Sequence, residues 1–566
     1  MKLKILSLLV AMLAVVMLFA SCGGGGDDTG DQAANGNQII IQLYENDNKG
    51  ELSSGLKRYY AGEDKNAADP IDQLVKDRNE AAEATTGVDA KYFYTTDFAW
   101  GESFNDVQTK VNGGASTAPD VYCNFAYDLT SLALRGYFAN LFSTSIGGQA
   151  VTNHFRFTQS DYNPDSTNYF DSSASEGYFF EYMKSLAFAN SNGQYDKMYC
   201  LASDYTIDVL RAFLVMPVNV SIMNNIGLGT NKYATDRNND GKFDIADFYE
   251  LVWDGEWTYD VLAAFANSAF INNDSGETAD TDMGDTRIGA AFGKTSGLTA
   301  AGLLYTSSVQ IIDRDVATGS YAYLSSNQGL IDFSNALLKL FSENESNGIC
   351  SAYTSDMTKA GLIQSAADFG DIAGIRAKFG QNGVLFGGII ALGSVEYADF
   401  QNLNGSTGFG IVPIPVYKAG DEYLTLVHNI ARIVAISKST TDFEKCSNFL
   451  NYQSTESAEI IETYYTTQLA AAVSSGEQNA ASNKNNADML EYIRGHVRDC
   501  FDKTYEDVIA SYMSATAQED DANRWHIRLR NQGYKYDNFA GDYTGIYEVK
   551  QGHLTTILGV WAGLSN

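Results

Sequence analysis

The residues whose types and spacing are most specific chemically are Asp236-Arg237-Asn238-Asn239-Asp240-Gly241-Lys242-Phe243-Asp244-Ile245-Ala246-Asp247. Side-chain oxygens stand at loop positions 1, 3, 5, 9 and 12 (Asp236, Asn238, Asp240, Asp244, Asp247), and Gly241 stands at position 6, where such a loop turns sharply. A hard cation such as Ca²⁺ binds a cage of oxygens, to which Lys242 would add its carbonyl at position 7. With Asp rather than Glu at position 12, a bidentate ligand must come closer. The pattern predicts a structural Ca²⁺ site; the alternative for the same residues is an Asp-rich surface turn without metal. Ile245, Phe248 and Val252 follow at helical spacing and predict a helix with an apolar face leaving the loop, whereas no comparable helix enters it.

Other chemistry is poorly provided for. Gly289-Ala290-Ala291-Phe292-Gly293-Lys294-Thr295 places three residues between its glycines, one fewer than a phosphate-binding loop requires. There is no H-E-x-x-H or G-x-S-x-G, and none of the five histidines forms a close pair. The 70 Asp and Glu leave a carboxylate pair for glycoside hydrolysis open. Apart from Cys22, the cysteines are Cys123, Cys200, Cys350, Cys446 and Cys500, an odd set without C-x-x-C spacing, which disfavours zinc clusters and thioredoxin-type chemistry. One or two disulfides stay open, in pairings that spacing does not decide; buried thiols are the default reading. Against 38 Lys and Arg, the acids set a net charge of -32, a field that repels phosphate backbones and anionic headgroups. Hydrophobic residues at 45% are enough for large cores.

The N-terminus predicts the compartment. Lys2 and Lys4 precede Ile5 to Ala20, an uncharged run shorter than the ~20 residues of a spanning helix and the size of a signal-peptide core. Leu18-Phe19-Ala20-Ser21-Cys22 resembles the lipobox of bacterial lipoproteins, which implies cleavage after residue 21 and a diacylglyceryl group on Cys22. Residues 22–37, with Gly23 to Gly26 and then Asp27, Asp28 and Asp31, read as a flexible tether. Two or more acyl chains anchor stably where one does not. The expected location is extracytoplasmic, held to the cell membrane by the lipid alone.

Elements that would position a site follow. Ile39 to Tyr44 suits a buried strand, and Asp69-Pro70 caps a helix over Ile71 to Ala84. Lys91 to Tyr94 suits a strand, 104–112 a helix, Asp120 to Asn124 a strand and Leu129 to Leu134 a helix. This alternation predicts an α/β lobe on a largely parallel sheet, with ligands beyond the carboxyl ends of its strands. Residues 155–176 read as a polar excursion, and Phe213 to Val220 as a segment crossing to a second lobe. Helical patterns recur near 259–270, 328–342 and 443–452. In Phe409 to Tyr417, Pro413 and Pro415 predict a strand on an edge or leaving its sheet.

Four stretches, in order, resemble the extracellular solute-binding proteins of ABC importers, the family that includes sugar-binding members. Ala118-Pro119-Asp120-Val121-Tyr122 with Asp128 to Leu132 is similar to its early P-D-V strand and helix. Gly255-Glu256-Trp257-Thr258-Tyr259-Asp260-Val261-Leu262 looks like its G-x-W-T-x-D-x-L helix start, with Thr258 placed to cap. Phe409 to Pro415 with Tyr423, and Ala431 to Lys438 with a helix through Phe449 to Tyr452, resemble its later strands and the return to the first lobe. The likeness spans residues 38 to 460; Tyr178-Phe179-Phe180 stands where the family often has paired tryptophans, and the residues near the C-terminus carry no such likeness.

The resemblance implies an α/β, two-lobed periplasmic-binding-protein-like (type II) fold with a cleft between the lobes. Lobe 1 would hold 38–205 and 426–475, and lobe 2 would hold 206–425 and 476–566. Aromatic rings cover the C–H faces of sugars, and carboxylates and amides bond their hydroxyls. The first-lobe candidates are therefore Tyr44 and Glu45 ending the first strand, Asp97 and Trp100 after the second, and Asp128 after the third, which alternatively caps its helix. Asp204 precedes the crossover; Tyr305 would lie in a second-lobe cleft loop, and His428 and Asn429 at the later crossover. The implied protein is a monomeric, non-enzymatic receptor that captures a solute, an oligosaccharide in first place, by lobe closure and passes it to ABC permease subunits. The alternatives are a ligand-sensing lipoprotein on the same scaffold and a surface glycosidase. Nucleic acid is not an expected partner.

Overall fold

A computed structural model of the chain describes residues 36–45, 55–63, 69–96, 102–113, 118–156, 177–271, 287–293, 297–344, 349–350, 372–401, 403, 408–469, 480–497, 501–513, 524–532, 534 and 539–564. In β1 (Gln38–Glu45), Ile39, Ile41, Leu43 and Tyr44 are all at 0% exposure. A strand covered on both faces belongs inside a sheet, and the run Ile39-Ile40-Ile41 suits that place. α1 (Pro70–Thr86) starts where its local chemistry directs: Asp69 accepts the Ile71 N–H at 3.0 Å and Pro70 fills the first turn. Gly87, at φ +71°, ends it by donating to the Glu83 carbonyl. β2 (Asp89–Thr96), α2 (Glu102–Gly113), β3 (Val121–Phe125) and α3 (Ala126–Leu134) continue the alternation. β1 and β3 pair in parallel, Ile41 opposite Val121 and Leu43 opposite Cys123.

The chain then builds a second sheet from β4 (Leu214–Asn219), β5 (Ile288–Ala291), β6 (Ile349–Cys350), β7 (Val384–Phe386), β8 (Ile390–Ala391) and β9 (Phe409–Val412). Its order is β6-β5-β7-β4-β8, with β9 also paired to β4. β5 runs parallel to β6 and β7, whereas β4 is antiparallel to β7, β8 and β9. β9 stops at Val412, so Pro413 and Pro415 stand outside the ladder, as their missing N–H groups require. Helices on this side are α4 (Ile245–Trp253), α5 (Tyr259–Ala269), α6 (Gly297–Tyr305) and α7 (Gln328–Asn344). Ile245, Phe248 and Val252 are buried, the apolar face expected of α4. Thr258 occupies the N-cap of α5, but its hydroxyl makes no capping bond, contrary to expectation. The turn is fixed instead by Trp257, whose N–H donates to Tyr423 Oη at 2.7 Å and whose indole donates to the Pro413 carbonyl at 2.9 Å.

β10 (Arg432–Ile436) returns to the first sheet antiparallel to β3, from Arg432 opposite Phe125 to Ile436 opposite Val121, giving the order β10-β3-β1-β2. α8 (Phe443–Thr455) and α9 (Ala458–Tyr464) follow. The two crossing segments pair with each other: Leu214 N–H donates to the Leu426 carbonyl and His428 N–H to the Ala212 carbonyl, both at 2.9 Å. The fold is thus two α/β lobes with paired connections between them.

Four further helices complete the described chain: α10 (Ala480–Gly495), α11 (Phe501–Met513), α12 (Trp525–Asn531) and α13 (Phe539–Gly563). α10 packs on β9 and α4, and α12 on α6, all second-lobe elements. α11 and α13 also pack on α3 of the first lobe, so the helices grouped with lobe 2 on sequence lie against both. Among the described residues, Cys123, Cys200 and Cys446 are free and buried, and no helix is long and apolar enough to cross a membrane. The expected signal and most of the tether, Cys22 included, lie outside the described residues, as does most of the polar excursion.

Candidate functional site at the carboxyl end of the first sheet

Parallel strands place their carboxyl ends together, and an antiparallel neighbour contributes its start to the same end. Here that end gathers Glu45 at the end of β1, Tyr127 and Asp128 after β3, and residues 428–431 before β10. Tyr127 N–H donates to the Asn429 carbonyl at 3.1 Å and Ala126 N–H to the Ala431 carbonyl at 2.9 Å. The same segment pairs with the other crossover, so this edge of the first lobe is also the joint to the second.

The candidate side chains divide into those that brace this edge and those that meet the C-terminal helices. Tyr44 is buried and donates to Asp106 of α2; burial first, then the Asp106 charge, holds its phenol well above the ordinary range. Glu45 is buried beside it. Asp128 is fully buried in the first turn of α3, where it accepts from Ser103 and, at 3.2 Å, from Asn124. Burial pushes its carboxyl up to about 6 against the pull of those two bonds. It caps no backbone N–H there, and instead ties α2 to β3. Asp97 and Trp100 lie outside the described residues.

Asp204 is buried and paired with Arg494 of α10 at 2.8 Å; burial raises its carboxyl while Arg494 opposes. Tyr305 ends α6 rather than lying in a loop, and its hydroxyl donates to Glu506 of α11 at 2.7 Å. Asn429 donates to Asp507, the next residue of α11, also at 2.7 Å. His428 accepts the Ile430 N–H on Nδ1 at 3.1 Å, and burial, reinforced by the Lys503 charge, lowers its pKa to about 3. Tyr305, His428 and Asn429 therefore converge on one turn of α11, and Asp204 meets a different helix.

Spacing and resemblance did not flag the residues at the centre of that convergence. Asp507 takes Lys503, Arg524 Nη1 at 2.8 Å and Asn429; burial pushes its carboxyl up, but Lys503, Arg524 and His526 outweigh it and hold the group below the usual range. Glu506 takes the Trp525 N–H at 2.8 Å besides Tyr305. The only sequence trace is Lys503 four residues before Asp507, a spacing common to exposed helices. On another side of the joint, Glu396 accepts from Arg211 Nε at 2.8 Å and Nη2 at 3.0 Å, Tyr59 at 3.0 Å and Tyr464 at 2.7 Å. Arg211 also meets Asp208 at 2.5 Å, and Asp208 meets Arg432 at 3.2 Å. A carboxylate from beyond β8 is thus held by Arg211, just before the first crossover, and by Tyr59 and Tyr464 of the first lobe.

In the acidic loop, Asn239 and Gly241 take left-handed φ of 62° and 88°, the turn that the glycine was expected to allow. Asp236 accepts from Asp240 N–H at 3.1 Å and Gly241 N–H at 2.8 Å, and Asn238 also accepts from Asp240 N–H. Asp240 accepts from the Lys242 N–H at 3.1 Å, Asp244 and Asp247 form a capping box on α4, and Lys242 Nζ lies 2.8 Å from Asp244. The loop backbone thus curls around its own oxygens. Among the described residues, however, no group of three or more His, Cys, Asp or Glu is gathered closely enough to hold a metal.

No protein-family model matches the chain, and no curated protein matches its sequence. Solved structures overlay most of it. A cyclo/maltodextrin-binding protein complexed with maltotetraose covers 94% of this chain and 98% of its own, with 10% identity and a TM-score of 0.48. An ABC transporter solute-binding protein from Thermotoga lettingae TMO, bound with alpha-D-tagatose, covers 92% and 100% at 10% identity and 0.46. The galacto-N-biose-/lacto-N-biose I-binding protein of the ABC transporter from Bifidobacterium longum covers 95% and 100% at 11% identity and 0.45. Likeness at these values assigns this chain neither ligand nor partner.

Proposed function

We propose that this chain is a non-catalytic receptor that captures a solute, an oligosaccharide in first place, between two α/β lobes and passes it to ABC permease subunits. The observation that carries the reading is the paired crossover, Ala212 to Leu214 against Leu426 to His428, set at the carboxyl end of the first sheet. A solute held there touches both lobes, and a ligand that touches both favours the state in which they are close. The lobes are proposed at 38–205 with 426–475 and at 206–425 with 476–566, the last segment lying on both. The test is a thermal melt of the purified chain against oligosaccharides, amino acids and peptides. The expected result is a rise for one oligosaccharide class that grows with concentration, as mass action requires. A rise only with amino acids or peptides would overturn the solute class, and cleavage of the sugar would overturn the receptor.

Two further parts of the reading have their own tests. Cys22 is proposed to carry the lipid that holds the chain outside the cell membrane; Cys22→Ala should move it from the membrane to the soluble fraction. The loop 236–247 is proposed as a Ca²⁺ site, supported by its ligand spacing and by the left-handed turn at Gly241. Binding would require Lys242 to leave Asp244. Ca²⁺ should raise the melting temperature relative to chelator, and Asp240→Ala should remove that rise; equal melts in both conditions would reject the site.

A further inference from the structure

The helices after residue 480 do something that a two-lobed plan does not require: they fasten the lobes to each other. Adjacent carboxylates of α11 reach in different directions. Glu506 takes the Tyr305 hydroxyl at the end of α6, while Asp507 takes the Asn429 amide, two residues before Ala431 meets α3. A ring cluster repeats the pattern with apolar groups. Phe188 belongs to a segment joined to the first sheet through the Leu201–Val434 bridge. Its ring meets Tyr321, on the hairpin between α6 and α7, at 5.1 Å, and Phe501 and Trp561 each at 5.4 Å.

Polar ties surround that cluster. Ala189 N–H donates to Tyr321 Oη at 2.7 Å, and Lys197 Nζ donates to the Trp561 carbonyl at 3.0 Å near the end of α13. Arg494 of α10 holds Asp204, just before the first crossover. Residues 39–566 group as one compact unit.

We propose that α10 to α13 are a clasp, which holds the two lobes at one separation through Glu506, Asp507 and the Phe188 ring cluster. The clasp must release before the lobes can part, and its strength sets the fraction of molecules that are open. This rests on the two-lobed reading but on no particular solute. Lobe separation in the free protein is read without any sugar, so a failure of the receptor reading and a failure of the clasp are distinguishable.

The test is a pulsed-EPR distance between spin labels on ketone-bearing amino acids at Glu80 of α1 and Asp332 of α7, both exposed. Labelling through ketones leaves the native thiols untouched. The solute-free parent should give one narrow distribution. Tyr305→Phe, Asn429→Ala and Tyr321→Phe together remove three ties and leave the rings in place, and should give a longer and broader one. A parent distribution that is already broad, or a triple variant that matches the parent, would overturn the clasp. Should the triple variant fail to fold by circular dichroism, Asn429→Ala alone is read by the same criterion.

Discussion

Asp128 and His428 are buried titratable groups with opposite consequences for pH. The unfolded chain releases an Asp proton near pH ~3.9, whereas folded Asp128 keeps it up to about 6. The folded state therefore carries no penalty below about pH 4 and a full one, of order 3 kcal/mol, above about pH 6. Asp128→Asn should gain melting temperature relative to the parent as pH rises across that window; a constant difference would reject the assignment. His428 is the reverse case. Its folded pKa is lowered to about 3, so as pH falls below ~6.5 the unfolded chain takes up a proton that the folded chain refuses. Stability should decline from about pH 6 toward pH 4, and His428→Gln should flatten part of that slope in melts at successive pH values. Both residues were legible as polar groups near strand ends. Their burial was not, because it depends on α2 and α11, which arrive from distant parts of the chain.

Among elements, caps and turns were legible because their chemistry is local. Asp69→Ala should cost about 1 kcal/mol, since it removes the side-chain acceptor for the Ile71 N–H in the first turn of α1. Loss of its ion pair with Arg58 adds to that. Chemical denaturation checks the midpoint, and an unchanged value would show that Pro70 alone suffices. Thr258 shows the limit: the right residue stands at the right position, yet the turn is held by Trp257 bonding to Pro413 and Tyr423, each more than 150 residues away in sequence. Trp257→Ala should therefore cost about 3–5 kcal/mol, as for other large buried rings. It would free α5 from the segment after β9, read as a lower denaturation midpoint. The acidic loop sits between these cases, with a readable turn and an ion preference that depends on whether its oxygens converge.

For the whole molecule, alternating strands and helices foretold the first α/β lobe and the family resemblance implied the second, and the crossovers at 213 and 427 pair directly. The arrangement of the C-terminal helices was not legible. Their charged residues resemble any solvated helix until Asp507 is found between Lys503, Arg524 and Asn429. Asp507→Asn should be strongly destabilising, by about 3–5 kcal/mol, because it leaves buried cations without their counter-charge. The same substitution should weaken the acid sensitivity below about pH 4, since a carboxyl held low in the folded state loses its contribution as it is protonated. Melts of parent and variant across that range check both.

What the sequence by itself determined is what neighbouring residues decide: the strand at Ile39, the helix after Asp69-Pro70, the turn at Gly241 and the exit of the chain from its sheet at Pro413. What only the tertiary structure decided is which polar groups meet. Tyr305, Asn429 and the α11 carboxylates lie up to 202 positions apart in the chain yet share one polar network. The physical reason is that a buried charge is tolerable only when partners surround it, and those partners come from separate elements that packing alone brings into contact.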